Sequence, residues 1–107
     1  MKQPFGTAND VDKNGNPAGG FAGGVGFSIE WQRGPLSVNG ERLEPNGAFV
    51  ETIIAAAKQR IEFYQDSKFA CAENEKAIMH LGLALNELNA RTLRRTEAGV
   101  EGTHNGN

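Results

Sequence analysis

Three arginines, Arg91, Arg94 and Arg95, crowd the end of a helix-forming stretch and are followed at once by Gly99-Val100-Glu101-Gly102-Thr103-His104. Guanidinium groups fork onto phosphate or carboxylate oxygens. Backbone N–H groups in a glycine-broken tail can cradle an anion beside them. The chemistry on offer is anion capture, although the same arginines equally offset the partial negative charge of a helix C-terminus.

Bond-making chemistry is not supported. His80 and His104 are the two histidines, and neither has a second ligand at metal spacing. Cys71 lacks a companion histidine and is expected to be a buried structural thiol. The glycine-rich run from Gly19 to Gly26 carries no Walker lysine and precedes a strand pattern. Asp10, Asp12, Asn14 and Asn16 open like a calcium loop, but no glutamate closes it at the twelfth position. The reading is a protein that is not an enzyme, with no cofactor and no metal.

The arginines must be positioned by helices. Ile78, Leu81, Leu85 and Leu88 recur at three and four residues and share one helix face, which Asn74 and Thr92 extend. Met79, Leu83, Ala72 and Ala90 fall on a different face. A helix apolar on two sides is buried on two sides, and one partner helix covers only one of them. A second copy of the chain is expected on the other. This helix is expected over residues 69–98, with Gly99 in the left-handed position past its end and a tail over 99–107.

A first helix is expected over 48–65, with Asn46 as its cap. Val50, Ile54, Ala57, Ile61 and Tyr64 form its stripe, widened by Phe49, Ile53, Ala56 and Phe63. The short Asp66-Ser67-Lys68 connection favours an antiparallel pair. Ahead of the helices, Phe27, Ile29 and Trp31 alternate with polar residues as in a strand, and Gly34-Pro35 interrupts. Leu36-Ser37-Val38 resumes, and Asn39-Gly40 is a strong hairpin-turn signal. Residues 27–43 therefore read as a β-meander, and Trp31 reads as core.

Seven of the 14 glycines lie before Phe27, so residues 1–26 read as a Gly-rich linker or loosely held arm. The expected fold class is α+β: a small N-terminal antiparallel β-meander plus an antiparallel two-helix hairpin, one domain over 27–107, assembling as a homo-oligomer. With 107 residues, about 80 of them folding, the core is marginal without association. The net charge of −2 argues against a DNA, RNA or membrane binder. One cysteine fits a reducing compartment. No apolar run reaches ~18 residues and no signal peptide opens the chain, so a soluble cytoplasmic protein is expected.

Several blocks carry a family resemblance. They are Ile29-Glu30-Trp31-Gln32-Arg33-Gly34-Pro35, Val38-Asn39-Gly40, Phe63-Tyr64-Gln65, Phe69-Ala70-Cys71-Ala72-Glu73-Asn74, Leu88-Asn89-Ala90-Arg91-Thr92 and Gly99 to His104. In that order and spacing the chain resembles the bacteriophage hairpin-domain sponges that counter the Thoeris and CBASS immune systems. The likeness runs from about Phe27 to His104 and leaves residues 1–26 outside. It implies a non-catalytic protein in the cytoplasm of an infected bacterium that forms symmetric oligomers, often hexamers built from dimers. It implies sequestration of cyclic nucleotide signals: glycocyclic ADP-ribose for the Thoeris type, and for some members also cyclic di- and trinucleotides.

The resemblance also implies roles. Tyr64 would stack on adenine, Asn74 would hydrogen-bond base or ribose, and Arg91 would grip the pyrophosphate. Arg95 lies one turn further on, and Thr103 with the backbone after Gly102 would complete an anion nest; Arg33 and Arg42 are further candidates. Each has a plain structural counterpart: Tyr64 as a hairpin-turn aromatic, Asn74 as a buried amide fixing helix register, the arginines as dipole partners. The alternative for the whole chain is a structural or interaction helical-hairpin oligomer with no small-molecule ligand.

Overall fold

The computed structural model describes residues 2–104. The chain divides into two compact units, one running up to Phe49 and taking in the segment from Val100 on, the other Val50–Gly99.

In the first unit, β1 (Phe5–Val11), β2 (Pro17–Gly24) and β3 (Phe27–Glu30) form an antiparallel sheet in that order. Thr7, Ala22 and Ile29 pair in one row across it, and Phe5, Gly24 and Phe27 in the next row on the same face. Ala22, at the centre, is buried. The expected loose arm is therefore two of three strands. Five of its seven glycines, Gly6, Gly19, Gly20, Gly23 and Gly24, are strand residues, whereas Gly15 and Gly26 sit in turns. At Gly20, with φ 130°, a Cβ would lie 2.1 Å from the Ala8 carbonyl oxygen, so no other residue fits there. The β1–β2 loop is tied by Asp12, whose carboxylate accepts from the N–H groups of Asn14 at 2.8 Å and Asn16 at 3.0 Å. The acidic stretch that looked like a calcium loop is thus an Asx-type turn.

β4 (Ser37–Val38) and β5 (Glu41–Arg42) form a separate two-stranded hairpin. Asn39 and Gly40 both have positive φ, 53° and 78°, as a two-residue hairpin turn of this twist requires. The expected single meander is thus split: β3 joins the N-terminal sheet, and Gly34-Pro35 separates it from the small hairpin. Trp31, half-buried, pairs with Ala48 in an isolated parallel bridge. Asn46 does not cap a helix. Its carboxamide accepts from Arg33 N–H at 2.8 Å and donates to the Arg33 carbonyl at 2.9 Å, fastening this loop to the strand end.

The second unit is the helical hairpin, α1 (Val50–Gln65) and α2 (Ala72–Glu97). On α2 the half-buried positions Asn74, Ile78, Leu81, Leu85, Leu88 and Thr92 follow the expected stripe. On α1 the half-buried line is Ile54, Lys58, Ile61 and Gln65, while Val50, Ala57 and Tyr64 are exposed. The α1 stripe is therefore narrower than its apolar residues suggested, because a single partner helix covers only part of it. Met79, Leu83 and Leu93 stay more than half exposed on α2. Among the described residues no large side chain is fully buried. A fold with so much uncovered apolar surface is short of the burial that stabilises a domain.

Candidate functional site

The turn of the hairpin is built by Gln65, the last residue of α1. Its carboxamide donates to the Cys71 carbonyl at 3.1 Å and accepts from the Cys71 N–H at 2.9 Å. Ser67 adds a second tie, donating to the Tyr64 carbonyl at 2.5 Å and accepting from Phe69 N–H at 3.1 Å. These bonds draw Phe69, Ala70 and Cys71 into the connection, so α2 starts at Ala72 rather than at Phe69. Cys71 precedes the helix as its N-cap, in an extended conformation and without a side-chain capping bond. Its thiol is exposed, which corrects the expectation of a buried structural cysteine.

This turn presents an aromatic, cationic surface. Tyr64 is 39 % exposed, Phe63 53 % and Phe69 68 %. Arg60 donates from Nε to the Tyr64 hydroxyl at 3.2 Å, and its guanidinium lies 4.9 Å from the Phe63 ring centroid. Lys68 stands 5.4 Å over Phe69. Asn74, in the first turn of α2 and half-buried, donates to the Phe69 carbonyl at 3.4 Å. The hairpin turn therefore brings Tyr64 and Asn74 to the same end of the unit, on either side of a bonded connection.

Arg91 is exposed on α2. Seventeen residues separate it from Asn74 along one continuous helix, a distance of about 26 Å at 1.5 Å per residue. Arg95 lies a further turn on, is buried at 6 % exposure, and makes interactions within the chain. A cyclised dinucleotide-sized molecule, folded back on itself, does not span from Tyr64 to Arg91 of one hairpin. The helix thus places the aromatic group and the free-standing arginine at opposite ends.

The tail beyond Gly99 belongs to the other unit. There the Gly102 carbonyl accepts from Leu36 N–H at 2.6 Å and Ser37 N–H at 2.9 Å. Thr103 is a turn residue: its N–H donates to the Val100 carbonyl at 3.0 Å and its hydroxyl to the same oxygen at 2.6 Å. The N–H that the tail offered to an anion is thereby engaged in the chain itself. Arg42 is paired with Glu101 at 2.8 Å, which raises its already high pKa through the hydrogen bond first and the charge second. The Arg33 side chain runs beside Gly19.

Two residues of this surface escaped the sequence reading. Arg60 stands four residues before Tyr64, a spacing that puts both on one helix face, and that signal was available. The Gln65 clasp was not, because it depends on where the connection returns. Among the described residues, no group of three or more His, Cys, Asp or Glu side chains is placed to hold a metal ion. No helix of the described residues is long and apolar enough to cross a membrane.

The arrangement can be set beside known proteins. The family profile for the Acb2/Tad1 hairpin domain matches residues 29–93, which include the end of β3, all of α1, most of α2, and Tyr64, Asn74 and Arg91. A relative named Thoeris anti-defense 1, from Bacillus phage SBSphiJ7, is 42 % identical over 84 residues. That alignment takes in 78 % of this chain and 56 % of the relative, so the chain spans little more than half the relative's length. With the profile running through α1, the hairpin turn and most of α2, the chain belongs to the Acb2/Tad1 hairpin-domain family.

Proposed function

We propose that this chain is a phage anti-defence protein that binds a cyclic nucleotide immune signal and withholds it without cleaving it. Glycocyclic ADP-ribose is the first ligand to consider, with cyclic di- and trinucleotides as further ones. Tyr64 stacks on the base, Asn74 hydrogen-bonds base or ribose, and Arg91 holds the pyrophosphate. The reading draws its support from family membership and from the phage relative's name.

The observation that shapes it is the roughly 26 Å between Asn74 and Arg91 on one helix. A site using both ends of the hairpin requires two copies, each offering its turn to the other's arginine end. The uncovered apolar residues Met79, Leu83 and Leu93 on α2 supply a reason for the copies to associate, as dimers and, in the family manner, as a hexamer built from dimers. Affinity points the same way. Stoichiometric withholding needs nanomolar binding, about 12 kcal/mol. A ligand of about 35 non-hydrogen atoms supplies roughly 10 kcal/mol at ~0.3 kcal/mol per atom, so nearly all of it must be enclosed. Two packed helices enclose little, whereas a pocket between subunits encloses more.

The test is capture and release. Purified protein is mixed with glycocyclic ADP-ribose, cyclic GMP–AMP and a cyclic trinucleotide, freed of unbound ligand, heat-denatured and chromatographed. Intact ligand in the released fraction is expected. Altered ligand would make the protein an enzyme. Nothing retained and nothing altered would favour the second reading, a helical-hairpin oligomer that docks another protein, for which the exposed apolar face of α2 is the supporting feature.

A further inference from the structure

Arg60 has two contacts with a single aromatic side chain. Its Nε–H donates to the Tyr64 hydroxyl at 3.2 Å, and its guanidinium carbon lies 5.0 Å from the Tyr64 ring centroid. The same carbon lies 4.9 Å from the Phe63 ring, whose centroid is 6.2 Å from that of Tyr64 at an inclination of 55°. The guanidinium is thus shared between two rings and tied to one of them by its hydroxyl. Both contacts are local to α1, one helical turn apart, and do not depend on any other element.

Tyr64 needs such support. It lies at the end of its helix and is 39 % exposed, so packing covers only part of its ring. A ring that must be ordered when the ligand arrives loses part of its stacking free energy to that ordering. We propose that Arg60 is a positioning residue, which holds the Tyr64 ring in place by hydroxyl and ring together and leaves the ring ready to stack on a purine base. This rests on the reading of Tyr64 as the base platform. The planar fork with its Nε–H is what the geometry uses, so lysine, a point charge on a flexible stem, is not equivalent.

The experiment measures affinity for glycocyclic ADP-ribose by calorimetry in five proteins: wild type, Arg60→Met, Arg60→Lys, Tyr64→Leu and the Arg60→Met/Tyr64→Leu double variant. Far-UV circular dichroism checks that α1 is intact in each. Arg60→Met is expected to weaken binding about fivefold, the scale of an exposed cation–π contact, and Arg60→Lys to remain weakened. In the Tyr64→Leu background the same change is expected to cost less than about twofold, because its route of action has gone. The chain has one tyrosine, so its ring NMR signals follow Tyr64 alone. In free Arg60→Met they are expected to shift toward those of an unrestrained tyrosine. A fivefold loss that persists undiminished in Tyr64→Leu would make Arg60 a direct ligand contact and overturn the proposal. Rescue by lysine, or wild-type affinity in Arg60→Met, would overturn it as well. Wild type that binds no probe is a distinct result: it removes the nucleotide reading itself and the positioning role with it.

Discussion

Asn74 and Arg91 share one uninterrupted helix and stand about 26 Å apart along it. The first lies beside the hairpin turn with Tyr64, the second near the far end. On the proposed reading, a compact cyclic nucleotide held by both types of group would bridge two chains, and that makes the subunit composition of the site measurable.

Mixing variants tests it. Tyr64→Ala and Arg91→Ala are each expected to lose capture as pure oligomers. Co-expressed in equal amounts, they pair at random in a two-fold assembly; half the dimers are mixed, and each mixed dimer carries one intact site. Capture is expected to return to about one quarter of the wild-type stoichiometry. A mixture as inactive as its parents would place all ligand groups on one chain. Size-exclusion chromatography with light scattering confirms that the mixed oligomers form.

The outer face of α2 is the next target. Met79 is 53 % and Leu83 54 % exposed in the single chain. If the chain associates through this face as proposed, Leu83→Glu is expected to give smaller species than wild type at micromolar concentration, and helicity should fall with it, because the lone hairpin buries too little. Sedimentation velocity reads the mass. If an unchanged oligomer results, association uses another surface.

The N-terminal sheet offers a contrast between two glycines. At Gly20 a Cβ would collide with the Ala8 carbonyl oxygen, whereas at Gly6 it meets nothing within 4 Å. Gly20→Ala is expected to destabilise by about 2–4 kcal/mol, combining backbone strain and overpacking. Gly6→Ala is expected to stay within about 0.5 kcal/mol of wild type. Urea unfolding followed by Trp31 fluorescence compares the two, and equal midpoints would remove the close approach of β1 to β2.

Acid should loosen the β1–β2 loop. The Asn16 N–H first, and then the Asn14 N–H, hold the Asp12 carboxyl below its ordinary pKa, against the opposing effect of partial burial. A depressed carboxylate contributes stability that is full above the unfolded-state value of about 3.9 and is lost as pH falls through the folded value. Amide exchange at Asn14 and Asn16 is expected to be slow at pH 6 and to lose relative protection below about pH 4. In Asp12→Asn, which keeps an acceptor without the charge, that pH dependence should vanish. Equal acid sensitivity in both proteins would assign it to another group.

Legibility in the sequence followed the range of the interactions. The spacing of Ile78, Leu81, Leu85 and Leu88 was enough to place the inner face of α2, and Asn39-Gly40 enough to place a hairpin turn, because helix period and turn conformation are local properties. Two apolar faces on α2 were visible for the same reason. The α+β class followed from the order of those patterns. The strands over residues 5–24 were hidden, because a glycine in a strand and a glycine in a linker look alike until a neighbouring backbone is known to pass within a Cβ's reach.

Tertiary structure decided what local pattern could not. Asn46 looked like a helix cap and instead fastens a loop to Arg33, since a carboxamide takes whichever backbone the fold brings to it. Cys71 looked buried and is exposed, because the Gln65 amide, not the thiol, closes the turn. Thr103 stood in a tail with apparently free N–H groups, and the fold returned that tail to Leu36 and Ser37. The sequence by itself determined which residues share a helix face and which chemistry they carry. The fold determined which of them face one another, because that depends on contacts between residues far apart in the chain, and these leave no periodic trace in the order of the amino acids.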